Sequence, residues 1–300
     1  MHGAQKSLIR LIVILGPTAS GKSALGIKLA KRFSGQIVSA DSRQIYRGLE
    51  IGAGTVAKRE MAGVPHFLLS FRSPRSPYSA EQFQRKAVKT IRSIANQGGV
   101  PFLVGGTGFW IDAVCQNTVF PSAKPDQALR KNLAEKTTLQ LFDLLKKLDP
   151  TKAKTIDRHN PHRLIRAIEI ARSRGTRQTA TCGPKLFDCL YLGISQDKTV
   201  LRQKIRKRFM QWLRLGLLDE VRRLIKKGVT QARFKELGLH YWLAYQYLHG
   251  TVSKQEFIEQ SVMSIWHYAK RQMTWFKRNK DIRWISSARE AQKFATEFLK

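Results

Sequence analysis

Short apolar runs punctuate this chain, and each ends in a chemically loaded turn. Ile12–Leu15 ends at Gly16, Ile37–Ala40 at Asp41-Ser42, and Phe102–Val104 at Gly105-Gly106-Thr107-Gly108. A fourth run, Leu190–Ile194, follows after a long interval. Such runs, bounded by turn residues, predict strands buried on both faces. Helix-like stretches separate them: Ala24–Phe33, and Ala80–Ala95 with Phe83, Ala87, Ile91 and Ile94 on one face. Alternation of this kind predicts an α/β fold with a parallel sheet and flanking helices. Ligands of such sheets sit beyond the carboxyl ends of the strands. Gly16, Asp41 and Gly105–Thr107 are therefore expected at one cleft.

The pattern changes after Cys115. Residues 116–185 are charged, punctuated by proline, and helical in pattern with no strand. Asp149-Pro150 is expected to open a helix that runs to about Arg174, where Gly175 stops it. Because the fourth run follows, this stretch reads as a helical domain inserted into a core made of residues 1–115 and 186–300. From Val200 onward the chain reads as helix throughout. Leu201, Ile205, Phe209, Trp212 and Leu213 form an apolar stripe ringed by Arg202, Lys204, Arg206, Lys207 and Arg208. A last strong helix, Ser261–Phe276, mixes Trp266, Tyr268, Trp275 and Phe276 with Lys270 and Arg271. Its aromatics are expected mainly in the core.

Charge narrows the function. The 300 residues carry 54 Lys+Arg against 21 Asp+Glu, a net charge of +33. That excess suits a large polyanion, and its distribution points to nucleic acid. No run approaches the roughly 20 apolar residues of a membrane span, so no membrane role is expected. Three scattered cysteines, with no histidines at ligand spacing, argue for a reducing, cytoplasmic setting and against structural zinc.

Gly16-Pro17-Thr18-Ala19-Ser20-Gly21-Lys22-Ser23 is a complete G-x-x-x-x-G-K-S phosphate-binding loop (P-loop), set between an expected strand and an expected helix. Backbone amides and the helix N-terminus cradle a di- or triphosphate, Lys22 reaches the outer phosphate, and the Ser23 hydroxyl ligates Mg²⁺. Asp41, at a strand end, suits a metal ligand or a general base. The second glycine turn permits close backbone approach, with Thr107 as a donor. This strand ends without the acidic residue an ATPase usually carries there. One arginine among Arg202, Arg206 and Arg208 is placed to stabilise a leaving phosphate. Arg163 and Arg166, three apart on one helix face, suit backbone phosphates.

Read in order, Gly16–Ser23 (GPTASGKS), Ser39–Tyr46 (SADSRQIY), Gly63–His66 (GVPH), Tyr78–Phe83 (YSAEQF), Gly105–Phe109 (GGTGF), Arg163–Ile170 (RLIRAIEI), Gly216–Val221 (GLLDEV) and Tyr268–Phe276 (YAKRQMTWF) resemble the tRNA dimethylallyltransferases, also called tRNA isopentenyltransferases. The lack of a C-terminal Cys/His zinc finger suits the bacterial type. The resemblance implies transfer of a dimethylallyl group from dimethylallyl diphosphate to the exocyclic N6 amine of the adenosine just 3′ of the anticodon, in tRNAs reading U-initial codons. It places the diphosphate, with Mg²⁺, in the loop Gly16–Ser23. It makes Asp41 the general base, Thr18 and Thr107 donors near the reacting oxygen and phosphates, and Arg208 the arginine that reaches the diphosphate. Asp41, Ser42, Arg43, Gln44 and Thr107 then read the tRNA. His162, Arg163, Leu164, Ile165 and Arg166 match contacts from the insertion to the anticodon stem-loop. A monomer is the expected state.

Three stretches depart from the family pattern. Ala53-Gly54-Thr55-Val56 replaces Thr-Ala-Lys-Pro, Ser70 stands for an aspartate, and Glu236-Leu237-Gly238-Leu239 replaces Ala-Ile-Gly-Tyr. Competing readings are a cytokinin-type enzyme that prenylates free adenylate, a P-loop kinase that binds ATP and a small metabolite, and a non-enzymatic RNA-binding module. The charge and the basic insertion favour tRNA.

Overall fold

The computed structural model describes residues 8–173 and 181–300. In chain order its elements are β1 (Ile9–Leu15), α1 (Lys22–Arg32), β2 (Gly35–Ser39), β3 (His66–Phe67), α2 (Ala80–Asn96), β4 (Val100–Gly105), α3 (Gly108–Cys115), β5 (Thr118–Val119), α4 (Gln127–Ala134), α5 (Thr138–Leu148), α6 (Pro150–Ala153), α7 (Pro161–Arg172), β6 (Thr181–Cys182), β7 (Phe187–Ile194), α8 (Lys198–Arg214), α9 (Leu217–Lys226), α10 (Gln231–Leu237), α11 (Leu239–Leu248), α12 (Lys254–Phe276), β8 (Arg283–Ile285) and α13 (Ala288–Leu299). The chain forms two compact units: one is built up to Asn117 and again from Pro184, the other is Thr118–Gly183. No described helix is long and apolar enough to cross a membrane.

The larger unit is a parallel sheet in the order β3-β2-β4-β1-β7-β8. Successive residues of β1 face opposite sides, as strand geometry requires. Leu11, Val13 and Leu15 join the core beneath α2, α3 and the later helices, while Ile12 and Ile14 pack with α1 and α13. Each fully buried aliphatic side chain contributes about 1.5–3 kcal/mol. Both faces of the sheet are thus covered, which explains why its central strands read as unbroken apolar runs. Helix α2 starts where Ser79 and Gln82 form a reciprocal capping box, and it buries Phe83, Ala87, Ile91 and Ile94.

Three expectations are corrected. The C-terminal region is not all helix: β8 adds a sixth parallel strand, pairing Leu192 with Arg283 and Ile194 with Ile285. Three residues are too few to show a period in sequence. The inserted unit is not strandless either, because β5 and β6 pair antiparallel at its two ends. The helix expected from Asp149 onward is broken. Asp149 caps only the short α6, and Asn160 caps a new helix whose first residue is Pro161. Proline lacks the amide a continuous helix needs and disfavours the α region before it. The expected stop at Arg174-Gly175 lies outside the described residues.

Leu133, Leu141, Leu145, Leu164 and Ile168 form the core of the inserted unit. Glu169 is buried beside that core and accepts bonds from Arg130 at 2.6 and 2.8 Å, Arg166 at 3.1 Å and the Asp126 amide at 3.0 Å. Burial alone would raise its pKa, but these partners outweigh burial and hold it below the usual carboxylate value.

Candidate active site

The registers bring three strand ends level. Leu15 stands opposite Gly105, and Ser39 opposite Val104. The turns after β1, β2 and β4 therefore open at one edge of the sheet, beside β1 where the strand order reverses toward β7.

The loop after β1 has the backbone of an anion cradle. Gly21, just before α1, takes φ 90°, a left-handed conformation that favours glycine. No side chain caps α1, so its first amides remain available to a ligand. The Ser20 hydroxyl is buried without a hydrogen-bond partner, and a phosphate oxygen would satisfy it. Lys22 lies back on the loop, its Nζ donating to the Pro17 carbonyl at 3.0 Å. Burial draws its pKa down to about 8. The charge of Asp41 opposes that shift and the charge of Arg208 adds to it, so the three groups share one electrostatic field.

Asp41 and Thr107 come together because β2 and β4 are neighbours. The Thr107 amide donates to the Ala40 carbonyl at 3.1 Å, and the Thr107 hydroxyl accepts from the Ser42 amide at 3.0 Å. The glycine turn is required here, since a Cβ on Gly105 would overlap the Ala40 carbonyl and one on Gly106 would overlap the Gln272 amide. Asp41 Oδ1 accepts from the Arg43 amide at 2.9 Å. Tyr268 of α12 stands beside this group. Burial pushes its phenol up to about 12, Asp41 adds to the rise, and Arg43 and the Thr107 hydroxyl oppose it. Gln44 accepts from the Ser39 hydroxyl at 2.9 Å and donates to the Gly54 carbonyl at 3.2 Å, which fixes its side chain beside Asp41 and Arg43 in the chain.

Among the arginines of α8, Arg202 and Arg206 are exposed, whereas Arg208 is half-buried and feels the Asp41 charge. Its Nη2 donates to the Gly54 carbonyl at 3.1 Å. Gly54 has φ +59°, and a Cβ there would overlap the guanidinium. The departure at residues 53–56 thus has a local consequence: residue 54 without a side chain makes room for Arg208. Glu220 holds the same segment, accepting from the Ile51 amide at 2.7 Å, the Gly52 amide at 3.0 Å and the Tyr241 hydroxyl at 2.8 Å.

Gln272 was not singled out by the sequence. It is 5% exposed and bridges the two glycine loops. Its Oε1 accepts from the Thr18 amide at 2.8 Å, and its Nε2 donates to the Gly106 carbonyl at 2.8 Å. The available signal was its position: Ile265, Ala269, Gln272 and Phe276 form one buried stripe of α12, and a polar residue on an apolar stripe needs buried partners.

A family model described as IPP transferase matches residues 44–279. The chain belongs to the IPP transferase family. It is 37% identical over 296 residues to a tRNA dimethylallyltransferase of Geobacillus thermodenitrificans, covering 96% of this chain and 93% of that one. Two solved structures resemble it closely. The full-length tRNA isopentenylpyrophosphate transferase of Bacillus halodurans superposes with a TM-score of 0.74 at 32% identity, covering 97% of this chain and 96% of that one. The Staphylococcus epidermidis tRNA isopentenylpyrophosphate transferase gives 0.71 at 30% identity, covering 97% and 98%.

Within this member of the family, the residues matched to the insertion's tRNA contacts are not equivalent. His162 and Arg163 are exposed on the first turn of α7. The Leu164 side chain is fully buried in the core of the inserted unit, as its place in the helical period requires. Ile165 packs partly against the same core. Arg166 is engaged by Glu169 and by the Ala123 carbonyl at 2.8 Å, so it braces the inserted unit. Of the other departures, Ser70 donates to Glu50 at 2.9 Å, and Glu236 pairs with Arg233 at 2.6 Å.

Among the described residues, no group of three or more His, Cys, Asp or Glu could hold a metal. The hard oxygens on offer near the loop are the Ser23 hydroxyl and the Asp41 carboxylate. Such a set fits Mg²⁺ shared with diphosphate oxygens and water, the usual mode for this ion, and does not form an all-protein cage.

Proposed function

We propose that this family member transfers the dimethylallyl group of dimethylallyl diphosphate to the N6 amine of the adenosine 3′-adjacent to the anticodon, in tRNAs reading U-initial codons. The observation that carries this reading is the meeting of Lys22, Asp41 and Arg208 in one field, with Thr107 and Tyr268 beside the carboxylate.

The loop amides, Lys22 and the Ser20 hydroxyl bind the diphosphate. Mg²⁺ held by Ser23 would add neutralisation of the phosphate oxygens. The substrate amine is conjugated with its ring and weakly nucleophilic, so loss of its proton must accompany attack. Arg43 orients Asp41 through Oδ1, which leaves Oδ2 to take that proton. The N6–C1 bond forms as the C1–O bond breaks, and the electron pair leaves with the diphosphate. Lys22 and Arg208 stabilise this charge where it develops. Thr107 and Thr18 donate near the reacting oxygen and phosphates. The adenosine must leave its stack to reach a cleft at a sheet edge, so base flipping is expected. His162 and Arg163 offer exposed contacts for the anticodon stem-loop.

The test is incubation with Mg²⁺, radiolabelled dimethylallyl diphosphate and an unmodified tRNA, with AMP in a parallel reaction. Label in the tRNA is the expected result. Label in AMP alone would replace this reading with an adenylate prenyltransferase.

A further inference from the structure

Besides those at the phosphate loop, the described residues gather cations around a concavity at the opposite edge of the sheet. A cavity of about 730 Å³ is lined by Gln84, Arg85, Lys89 and Arg92 of α2, by Asn117 after α3, and by Leu186 before β7. Leu186 adjoins Phe187, which pairs with Ile9 at the start of β1, whereas the phosphate loop follows Leu15 at its end. Six residues of strand at ~3.3 Å each place the two concavities roughly 20 Å apart along the sheet.

We propose that this groove binds the phosphate backbone of the tRNA at a distance from the adenosine that reacts. The proposal rests on tRNA being the substrate, but its test does not need turnover.

Arg85, Lys89 and Arg92 follow at i, i+4 and i+7, so they form one stripe about 10 Å long. A nucleic-acid strand presents a phosphate about every 3.4 Å of axis, so the stripe spans about three. No carboxylate pairs with these cations among the described residues, and the single acid of α2 is Glu81 in its first turn. Beneath them the floor is held rigid. The Gln84 side chain is buried and donates to the Ala113 carbonyl at 2.8 Å, and Asn117 donates to the Pro184 carbonyl at 3.0 Å. Ser93, Asn96 and Gln97 complete the rim with polar groups that suit phosphate and ribose oxygens. Among the described residues, no aromatic lines the groove. It therefore lacks a platform for stacking bases, and its contacts position the RNA without reading sequence. A solvated basic helix face would share the charge but not the concavity or the fixed floor.

The test replaces Arg85, Lys89 and Arg92 together with serine in the full chain and measures tRNA affinity across a salt series. As a control, Arg289, Lys293 and Lys300 are replaced together with serine. These three are exposed at the α13 end of the chain, on the other side of the sheet, and their loss removes the same positive charge. The groove variant should bind tRNA at least tenfold more weakly at low salt, with the slope of log K against log salt reduced by about 2–3. KM for tRNA should rise while kcat at saturating tRNA stays unchanged. Affinity for dimethylallyl diphosphate should be unaltered, which also shows that the cleft is intact. Equal losses in the two triple variants would assign the effect to bulk charge and overturn the proposal. So would an unchanged salt slope, or a fall in diphosphate affinity parallel to that for tRNA. If the wild-type chain modifies no tRNA yet the groove variant alone loses tRNA affinity and salt slope, the transferase reading fails and the groove stands.

Discussion

Replacing Gln272 with methionine isolates what the bridge between the two glycine loops contributes. Methionine keeps the length and volume of the side chain, so no cavity is made. Both hydrogen bonds, each of 2.8 Å, are lost. The Gly106 carbonyl is buried and would be left without this partner, at a cost of about 1–3 kcal/mol. Thr18 is half-buried, so water replaces part of its lost acceptor and its share is smaller, about 1 kcal/mol. The sum, about 2–4 kcal/mol, should appear as a lower midpoint in urea unfolding with an unchanged slope. The loop from Gly16 would also lose its anchor to α12, so ordering it on the ligand should weaken dimethylallyl diphosphate binding about tenfold by titration calorimetry. Gln272→Glu keeps an acceptor over Thr18 but sets a carboxylate against the Gly106 carbonyl, and should be more damaging than methionine. A methionine variant within ~0.5 kcal/mol of the wild type, the range of a neutral surface change, with unaltered diphosphate affinity, would refute the bridge.

Three further outcomes are expected. Asp41→Ala should lower kcat by at least ~10²-fold, the usual contribution of a positioned base, while filter binding shows tRNA affinity retained; lost tRNA affinity would make Asp41 a binding residue instead. Because Lys22 titrates at about 8, its ammonium is lost as pH rises through that value, and diphosphate affinity should fall there. The sign for folding is opposite: a lysine whose pKa is depressed in the folded state is a cost below about 8, and that cost is relieved between about 8 and its unfolded value of 10.5. A diphosphate affinity flat from pH 7 to 9 would remove Lys22 from the site. Glu169→Ala removes the buried acceptor of Arg130, Arg166 and the Asp126 amide, and because both guanidinium groups stay partly open to water it should loosen the inserted unit by about 1–3 kcal/mol, seen as faster amide exchange in α4 and α7. Since the Glu169 pKa is lowered on folding, the same protection in the wild type is present above the ordinary carboxylate value and should be lost as pH falls below it. Exchange unaffected by either change would mean that the apolar core alone holds the unit.

Much of the architecture was legible because local pattern and tertiary environment agree. β1, β2, β4 and β7 are covered on both faces, so their burial is written as unbroken apolar residues. The stripe of α2 faces one core, and its period is correspondingly clean. The phosphate loop is local by nature: its glycines, its lysine and the helix behind it are contiguous in the chain. Asp41 and Gly105–Thr107 could be placed with it because parallel strands present their carboxyl ends at one edge. β8 and the β5–β6 ribbon could not be read, since two or three residues become strands only when a neighbour pairs with them.

The sequence by itself determined a parallel α/β core, a phosphate cradle, an acidic strand end beside it, and a charge suited to RNA. The resemblance pointed to Arg208, but only the tertiary structure shows that, of the α8 arginines, this one lies against Gly54 and feels the Asp41 charge. On α8, Arg202 and Arg208 flank opposite edges of the Leu201–Ile205–Phe209–Trp212 stripe, and helical period cannot say which edge faces the loop at Gly54. Tertiary structure also decided that Gln272 joins two loops far apart in the chain and that Arg166 is a brace. The physical reason is common to all three. Periodicity records whether a side chain is buried, but a hydrogen bond or an ion pair depends on which distant group the fold brings within about 3 Å.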